Sequence, residues 1–250
     1  MSGHSKWSQI KRQKGANDAK RGAVFTKMGR EISIAARMGG GDPDANYRLR
    51  LAIDKARSVN MPADNIKRAI ERAVAGSAAE QFEEIVYEGY GPGGVAILVE
   101  TATNNKNRTA ADVRAMFAKN GGSLAGAGAV SWQFEPRGVV AVGRDGRNPD
   151  DIALEAIDAG ADDVDTESDP IEVVTSPHAL EQMRLALEGT GIKVDSAEVT
   201  MHAKTPIEVD RHVAEQNLRL IEALEDLEDV QRVTANFDLP AELLAEAAAV

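Results

Sequence analysis

The sequence predicts an α+β protein with antiparallel sheets, led by a basic helical region. Three observations carry this. The first third has helical periodicity. Beyond residue 80, segments rich in Val, Ile, Tyr and Thr mix with helices and hairpin turns instead of alternating strictly. At Gly76 the charge changes sign: residues 1–76 hold 16 Lys/Arg against 7 Asp/Glu, a net of +9, while 77–250 hold 13 against 33, a net of −20. Such segregation suggests a basic module that meets a polyanion, with the acidic remainder repelled by it and the molecule oriented basic end first.

Residues 1–22 carry Lys6, Lys11, Arg12, Lys14, Lys20 and Arg21 with Asp18 as the only acid. Beyond Trp7 and Ile10 they show no apolar period, which predicts an extended or mobile arm. A helix is expected over about Val24–Arg37, with Phe25, Met28, Ile32 and Ala35/Ala36 on one face and Lys27, Arg30 and Arg37 on others. Gly39-Gly40-Gly41-Asp42-Pro43 ends it. A second helix, about Asp44–Val59, turns Leu49, Ala52/Ile53 and Ala56 inward. A third, about Pro62–Ala75, starts on a proline suited to a first turn, with Asp64 near the positive end of the dipole. Its apolar stripe is Ile66, Ile70 and Ala73/Val74, and Gly76 is its stop.

Phe82–Tyr90 and Val95–Thr103, with Gly91-Pro92-Gly93-Gly94 between them, read as a hairpin. A helix over about Thr109–Asn120 has a capping-box-like start in Thr109 and Asp112. Strands are expected at Val130–Glu135 and Val139–Val142, joined by Pro136-Arg137-Gly138. Then come helix Pro149–Ala159, strand Ile171–Thr175, helix Pro177–Leu187, strand Ala197–Ala203, a long helix over about Asp210–Asp226, strand Val230–Phe237 and a short tail, 239–250.

Few chemistries are written into this chain. It has no cysteine, which excludes disulfides, thiolate zinc sites and cysteine nucleophiles. No segment approaches the roughly 18–20 uninterrupted apolar residues of a membrane span, and the first residues lack a signal-peptide pattern. The expectation is a cytoplasmic protein without membrane partner. His4, His178, His202 and His212 lack the spacing of a zinc helix. The Gly91–Gly94 run lacks the Lys-Ser/Thr of a phosphate loop and reads as a turn with positive φ. The glycines of 121–128 follow a helix and precede a strand, the reverse of a dinucleotide fingerprint. Asp162, Asp163 and Asp165 are weighed as a divalent-ion site and read as a solvated acidic loop. The expectation is therefore no catalytic residue, no metal, no cofactor and no small-molecule substrate.

The basic arm is the strong feature. Lys and Arg that neutralise phosphates release condensed counterions, which supplies sequence-independent affinity for nucleic acid. Arg adds bidentate geometry toward phosphate or guanine. Trp7, among Ser5, Lys6, Ser8 and Gln9, either stacks on a base or anchors the arm. The expected contact residues are Lys6, Trp7, Lys11, Arg12, Lys14, Lys20, Arg21, Lys27 and Arg30. The residues alone leave DNA and RNA both open.

Several stretches together resemble one family. They are Ser2-Gly3-His4-Ser5-Lys6-Trp7, Lys14-Gly15-Ala16, Asp18-Ala19-Lys20-Arg21-Gly22 and Phe25-Thr26-Lys27-Met28-Gly29-Arg30-Glu31-Ile32. Further along come Leu49-Arg50-Leu51-Ala52-Ile53, Asn60-Met61-Pro62, Asp64-Asn65-Ile66, Arg68-Ala69-Ile70, Tyr87 through Gly94, Asn107-Arg108-Thr109-Ala110 and Gly121-Gly122. This wording is similar to the YebC/PmpR family, bacterial proteins usually labelled probable transcriptional regulators, with the mitochondrial translational activator of cytochrome c oxidase as a relative. The resemblance runs the length of the chain. Around Ser123–Trp132 the chain departs, with Trp132 where relatives often carry another aromatic.

The resemblance implies three domains: a helical N-terminal domain and two α+β (ferredoxin-like) domains, the third inserted in the second. On this chain that corresponds to 1–76, to 77–130 with 204–238, and to 131–203. It implies no catalytic residues. It also implies one of two jobs, a transcriptional regulator on promoter DNA or a ribosome-associated translation factor on ribosomal or transfer RNA.

Overall fold

The computed structural model describes residues 18–76, 82–240 and 243, with the side chains of 18–21 outside the description. The described residues fall into two compact units, 136–202 and the rest of them. No helix among the described residues is long and apolar enough to cross a membrane.

The larger unit opens with α1 (Asp18–Gly39), α2 (Tyr47–Ser58) and α3 (Ala63–Val74). Ile32, Ala35 and Ala36 of α1 pack on Leu49, Ala52, Ile53 and Ala56 of α2 and on Met61, Ile66 and Ala73. The inward stripes of α1 and α2 are those the periodicity predicts. On α3, Val74 is exposed instead of inward; its methyl meets the Gly41 backbone, where a Cβ would come within 2.8 Å. α1 also begins earlier than expected, so residues 18–22 are helical, not part of an extended arm. Asn46 explains why α2 starts at Tyr47 and not at Asp44. Its Oδ1 accepts from Leu49 N while its Nδ2 donates to Ala35 O and Gly40 O, each at 2.8 Å, tying the end of α1 to the start of α2.

β1 (Glu83–Tyr90) and β2 (Ala96–Thr103) form the expected hairpin. Its turn needs glycine: Gly93 and Gly94 have φ of 72° and 79°, and a Cβ on Gly91 would lie 2.0 Å from Asn217 Oδ1. α4 (Lys106–Lys119) and a short β3 (Ser123–Leu124) follow. The helix begins three residues before Thr109 because Asn105 is its cap, accepting from Arg108 N. Past the smaller unit come β8 (Ile207–Glu208), α7 (Arg211–Glu225), β9 (Val230–Ala235) and β10 (Phe237–Asp238). An antiparallel sheet of order β3-β1-β2-β9 results, with β8 and β10 pairing in parallel beside it. Ile97, Val99, Val233 and Ala235 on one sheet face bury against Val113 and Phe117 of α4 and Leu218, Ile221 and Leu224 of α7. Each of the Val, Ile, Leu and Phe side chains contributes about 1.5–3 kcal/mol.

The smaller unit holds a sheet of order β5-β6-β4-β7, from β4 (Phe134–Val142), β5 (Asp163–Asp165), β6 (Ile171–Thr175) and β7 (Val194–Ala203), with α5 (Pro149–Asp158) and α6 (Leu180–Gly189). β4 and β5 both run antiparallel to β6. Val140, Val142, Ile171 and Val173 on the strands and Ile152, Leu180, Met183 and Leu187 on the helices are among its buried residues. β4 is one strand where two were expected, with Ser131–Gln133 a 3-10 turn before it. Pro136 is tolerated because pairing with β6 begins only at Gly138. Asp163 and Asp165 pair with Val174 and Glu172 in a strand rather than forming a loop, and Asp162 meets Arg137 at 3.1 Å.

Candidate nucleic-acid interface

Of the cations expected to touch nucleic acid, Lys6, Lys11, Arg12 and Lys14 lie with Trp7 outside the described residues. Lys20 and Arg21 stand in the first turn of α1, their side chains outside the description. Lys27 and Arg30 are described, and the structure places both against the chain's own acceptors. Lys27 Nζ donates at 2.5 Å to the carbonyl of Glu225, the last residue of α7. Such carbonyls have no partner within their helix and lie at the negative end of its dipole. Burial pushes this ammonium below the ordinary lysine range against the opposing pull of Glu225 and Asp226.

Arg30 is 8% exposed and uses both terminal nitrogens of its guanidinium. Nη1 donates to Asp229 Oδ1 at 2.8 Å and to Glu228 O at 2.5 Å, and Nη2 to Glu228 Oε1 at 2.7 Å. Its guanidinium lies 5.2 Å from the centre of the Phe82 ring. The other oxygen of Asp229 accepts from Thr109 Oγ1 at 2.6 Å, Arg108 Nη2 at 2.8 Å and Thr103 Oγ1 at 3.2 Å. Burial alone would raise the Asp229 carboxyl. The bonds from Thr109 and Arg108, with the charges of Arg30 and Arg108, outweigh it and hold the group below the usual carboxylate range. One carboxylate thus joins α1, the end of β2, the start of α4 and the α7–β9 turn. Thr109, read from sequence as a cap, belongs to this hub.

A group of cations that faces outward stands on α3. Ile66 and Ala73 turn inward, so Lys67, Arg68 and Arg72 share the exposed face with Glu71. Lys67 reaches Glu71 only at 3.8 Å, and Arg68 Nε donates to Asp64 O. Beside them is a shallow groove of about 390 Å³ with Ile53, Met61 and Ile70 in its lining and Arg57 and Lys67 among its polar residues. From sequence α3 reads as a core helix through Ile66, Ile70 and Ala73, yet the spacing 67, 68, 71, 72 also marks an outward charged face.

A second organised surface lies at the far end of β1. Glu88 is buried, and its carboxylate accepts from the backbone N–H groups of Gly128, Val130 and Ser131 at 2.7–2.8 Å. Burial opposes its ionisation, yet these donors win and lower its pKa. The loop 126–131 is thereby pinned across the strand. Among the described residues no cluster of His, Asp and Glu could hold a metal ion.

Comparison with known proteins assigns the lineage. The model of the TACO1/YebC protein N-terminal domain matches residues 5–76, and that of the TACO1/YebC second and third domain matches 82–237. A probable transcriptional regulatory protein of Chloroflexus aggregans is 54% identical over 247 residues, covering 98% of each chain. One of Rubrobacter xylanophilus is 51% identical over 249 residues, covering 99% of this chain and all of its own. The crystal structure of a conserved hypothetical protein from Aquifex aeolicus superposes with a TM-score of 0.85 at 41% identity, covering 91% of this chain and 94% of that one. With both domain models accounting for nearly its whole length, the chain belongs to the TACO1/YebC family.

Proposed function

We propose that this protein is a regulator that binds nucleic acid through residues 1–76, acting in transcription on DNA, and that it is not an enzyme. The observation that carries the reading is the segregation of charge, +9 over residues 1–76 against −20 over the rest. The names of the relatives support regulation of transcription. In this reading Lys6, Lys11, Arg12, Lys14, Lys20 and Arg21 meet phosphates, Trp7 stacks or anchors, and Lys67, Arg68 and Arg72 extend the surface. Lys27 and Arg30 act by seating α1. The division into 1–76, 77–130 with 204–238, and 131–203 belongs to the same proposal, as does a cytoplasmic location.

A second reading, translation control on ribosomal or transfer RNA, is favoured by the exposed aromatics Tyr90 and Trp132, because unpaired bases suit stacking. Ultraviolet crosslinking in cells, with both attached DNA and RNA sequenced, decides between them. Discrete promoter fragments support the first, and dominant ribosomal or transfer RNA the second. The arm has its own test: replacing Lys11, Arg12 and Lys14 by Ala weakens binding and lowers the salt slope by about 0.7–0.9 for each phosphate no longer neutralised. An unchanged slope would remove the arm from the interface.

A further inference from the structure

Trp132 is one of two tryptophans in the chain and is 66% exposed. Single exposed aromatics are common; what distinguishes this one is how it is held. Its Nε1–H donates to Ala129 O at 3.1 Å, and the hydroxyl of Tyr90, 37% exposed, donates to the same oxygen at 3.1 Å. One carbonyl therefore gathers two rings. That carbonyl is itself fixed, because the N–H groups of Gly128, Val130 and Ser131 around it all end on Glu88. Beside the rings, Lys204 Nζ donates to Trp132 O at 2.8 Å. Lys204 is exposed and, among the described residues, has no carboxylate partner.

Two fixed ring surfaces next to an exposed ammonium match what a single strand presents, a flat base joined to a phosphate. The rings are ordered before any ligand arrives, which lowers the entropic cost of binding. We propose that Trp132, Tyr90 and Lys204 form a contact for single-stranded nucleic acid, distinct from the basic helical region: an unpaired base stacks on the indole and its phosphate meets Lys204. The inference rests on the nucleic-acid reading above and adds a second point of contact on the acidic part of the chain.

The test compares a twelve-residue oligouridine with a duplex of equal phosphate count, both fluorescein-labelled, by anisotropy on the full chain. Trp132→Ala weakens binding of the single strand about tenfold, equivalent to ~1.4 kcal/mol, and leaves the duplex affinity unchanged. Trp132→Phe keeps a ring but loses the indole N–H, and it restores most of the single-strand affinity. Equal weakening on strand and duplex, no weakening on either, or failure of Trp132→Phe to restore binding would each overturn the proposal. If the unaltered protein binds neither probe, the nucleic-acid reading falls with it, an outcome separable from the others because it precedes any substitution.

Discussion

Arg30 shows how residue type and residue role diverge. Its charge counts toward the basic balance of the first 76 residues, yet its side chain ends on Asp229 and Glu228. Removing one partner of a buried pair leaves the other unpaired, so Arg30→Ala lowers the unfolding free energy by about 3 kcal/mol in urea titration. Arg30→Lys recovers only part of this, since an ammonium lacks the planar fork. The pH dependence follows from Asp229. Its carboxyl is held below its unfolded value of roughly 3.9. The stability it contributes is complete above that value and is lost as pH falls through it toward the folded pKa. Unfolding free energy therefore drops more steeply below about pH 4 in the native chain than in Asp229→Asn, while the two run parallel from about pH 6 to 8; equal slopes in acid would rule out the coupling. None of this was legible in the sequence, because Arg30 and Asp229 stand 199 residues apart and the hub is assembled by the fold.

At the scale of elements, the long helices and the hairpin were legible because their apolar residues repeat often enough to fix a period. Leu49, Ala52, Ile53 and Ala56 are buried as the spacing requires. β3, β5, β8 and β10 are two or three residues long, and no period exists in so short a run. They form because a neighbouring strand offers its edge, which is tertiary information. Helix starts slipped for a related reason: Asn46 and Asn105 are the caps, and each announces itself by a hydrogen bond, not by a pattern. The loop 126–131 is the clearest case of order imposed from outside its own residues. Glu88→Gln keeps the shape but removes the charge and turns one of the two accepting oxygens into an NH2 that faces backbone N–H donors, at a cost of about 1.5–3 kcal/mol. Hydrogen exchange at Gly128, Val130 and Ser131 should then quicken markedly more than exchange in α7; uniform change across both would show that the carboxylate is not what orders the loop.

For the molecule as a whole, the two signs of charge set how a polyanion is approached. Steering of this kind is strong in dilute salt and fades as the Debye length falls to about 8 Å at physiological ionic strength. Neutralising Asp150, Asp151 and Asp158 on α5 to Asn should raise duplex affinity roughly two- to fivefold near 0.02 M salt and hardly at all near 0.15 M. An equal gain at both would mean that these acids act locally on the duplex. The sequence disclosed the asymmetry, but not that some of the positive charge is already answered from within. That hub has a practical corollary for anyone who would cut the protein at Gly76 and work with the helices alone. Released from Asp229, Glu228 and the Glu225 carbonyl, Arg30 and Lys27 would face solvent as two new phosphate-seeking cations, and the fragment would report a tighter and more salt-dependent grip on nucleic acid than the intact chain has.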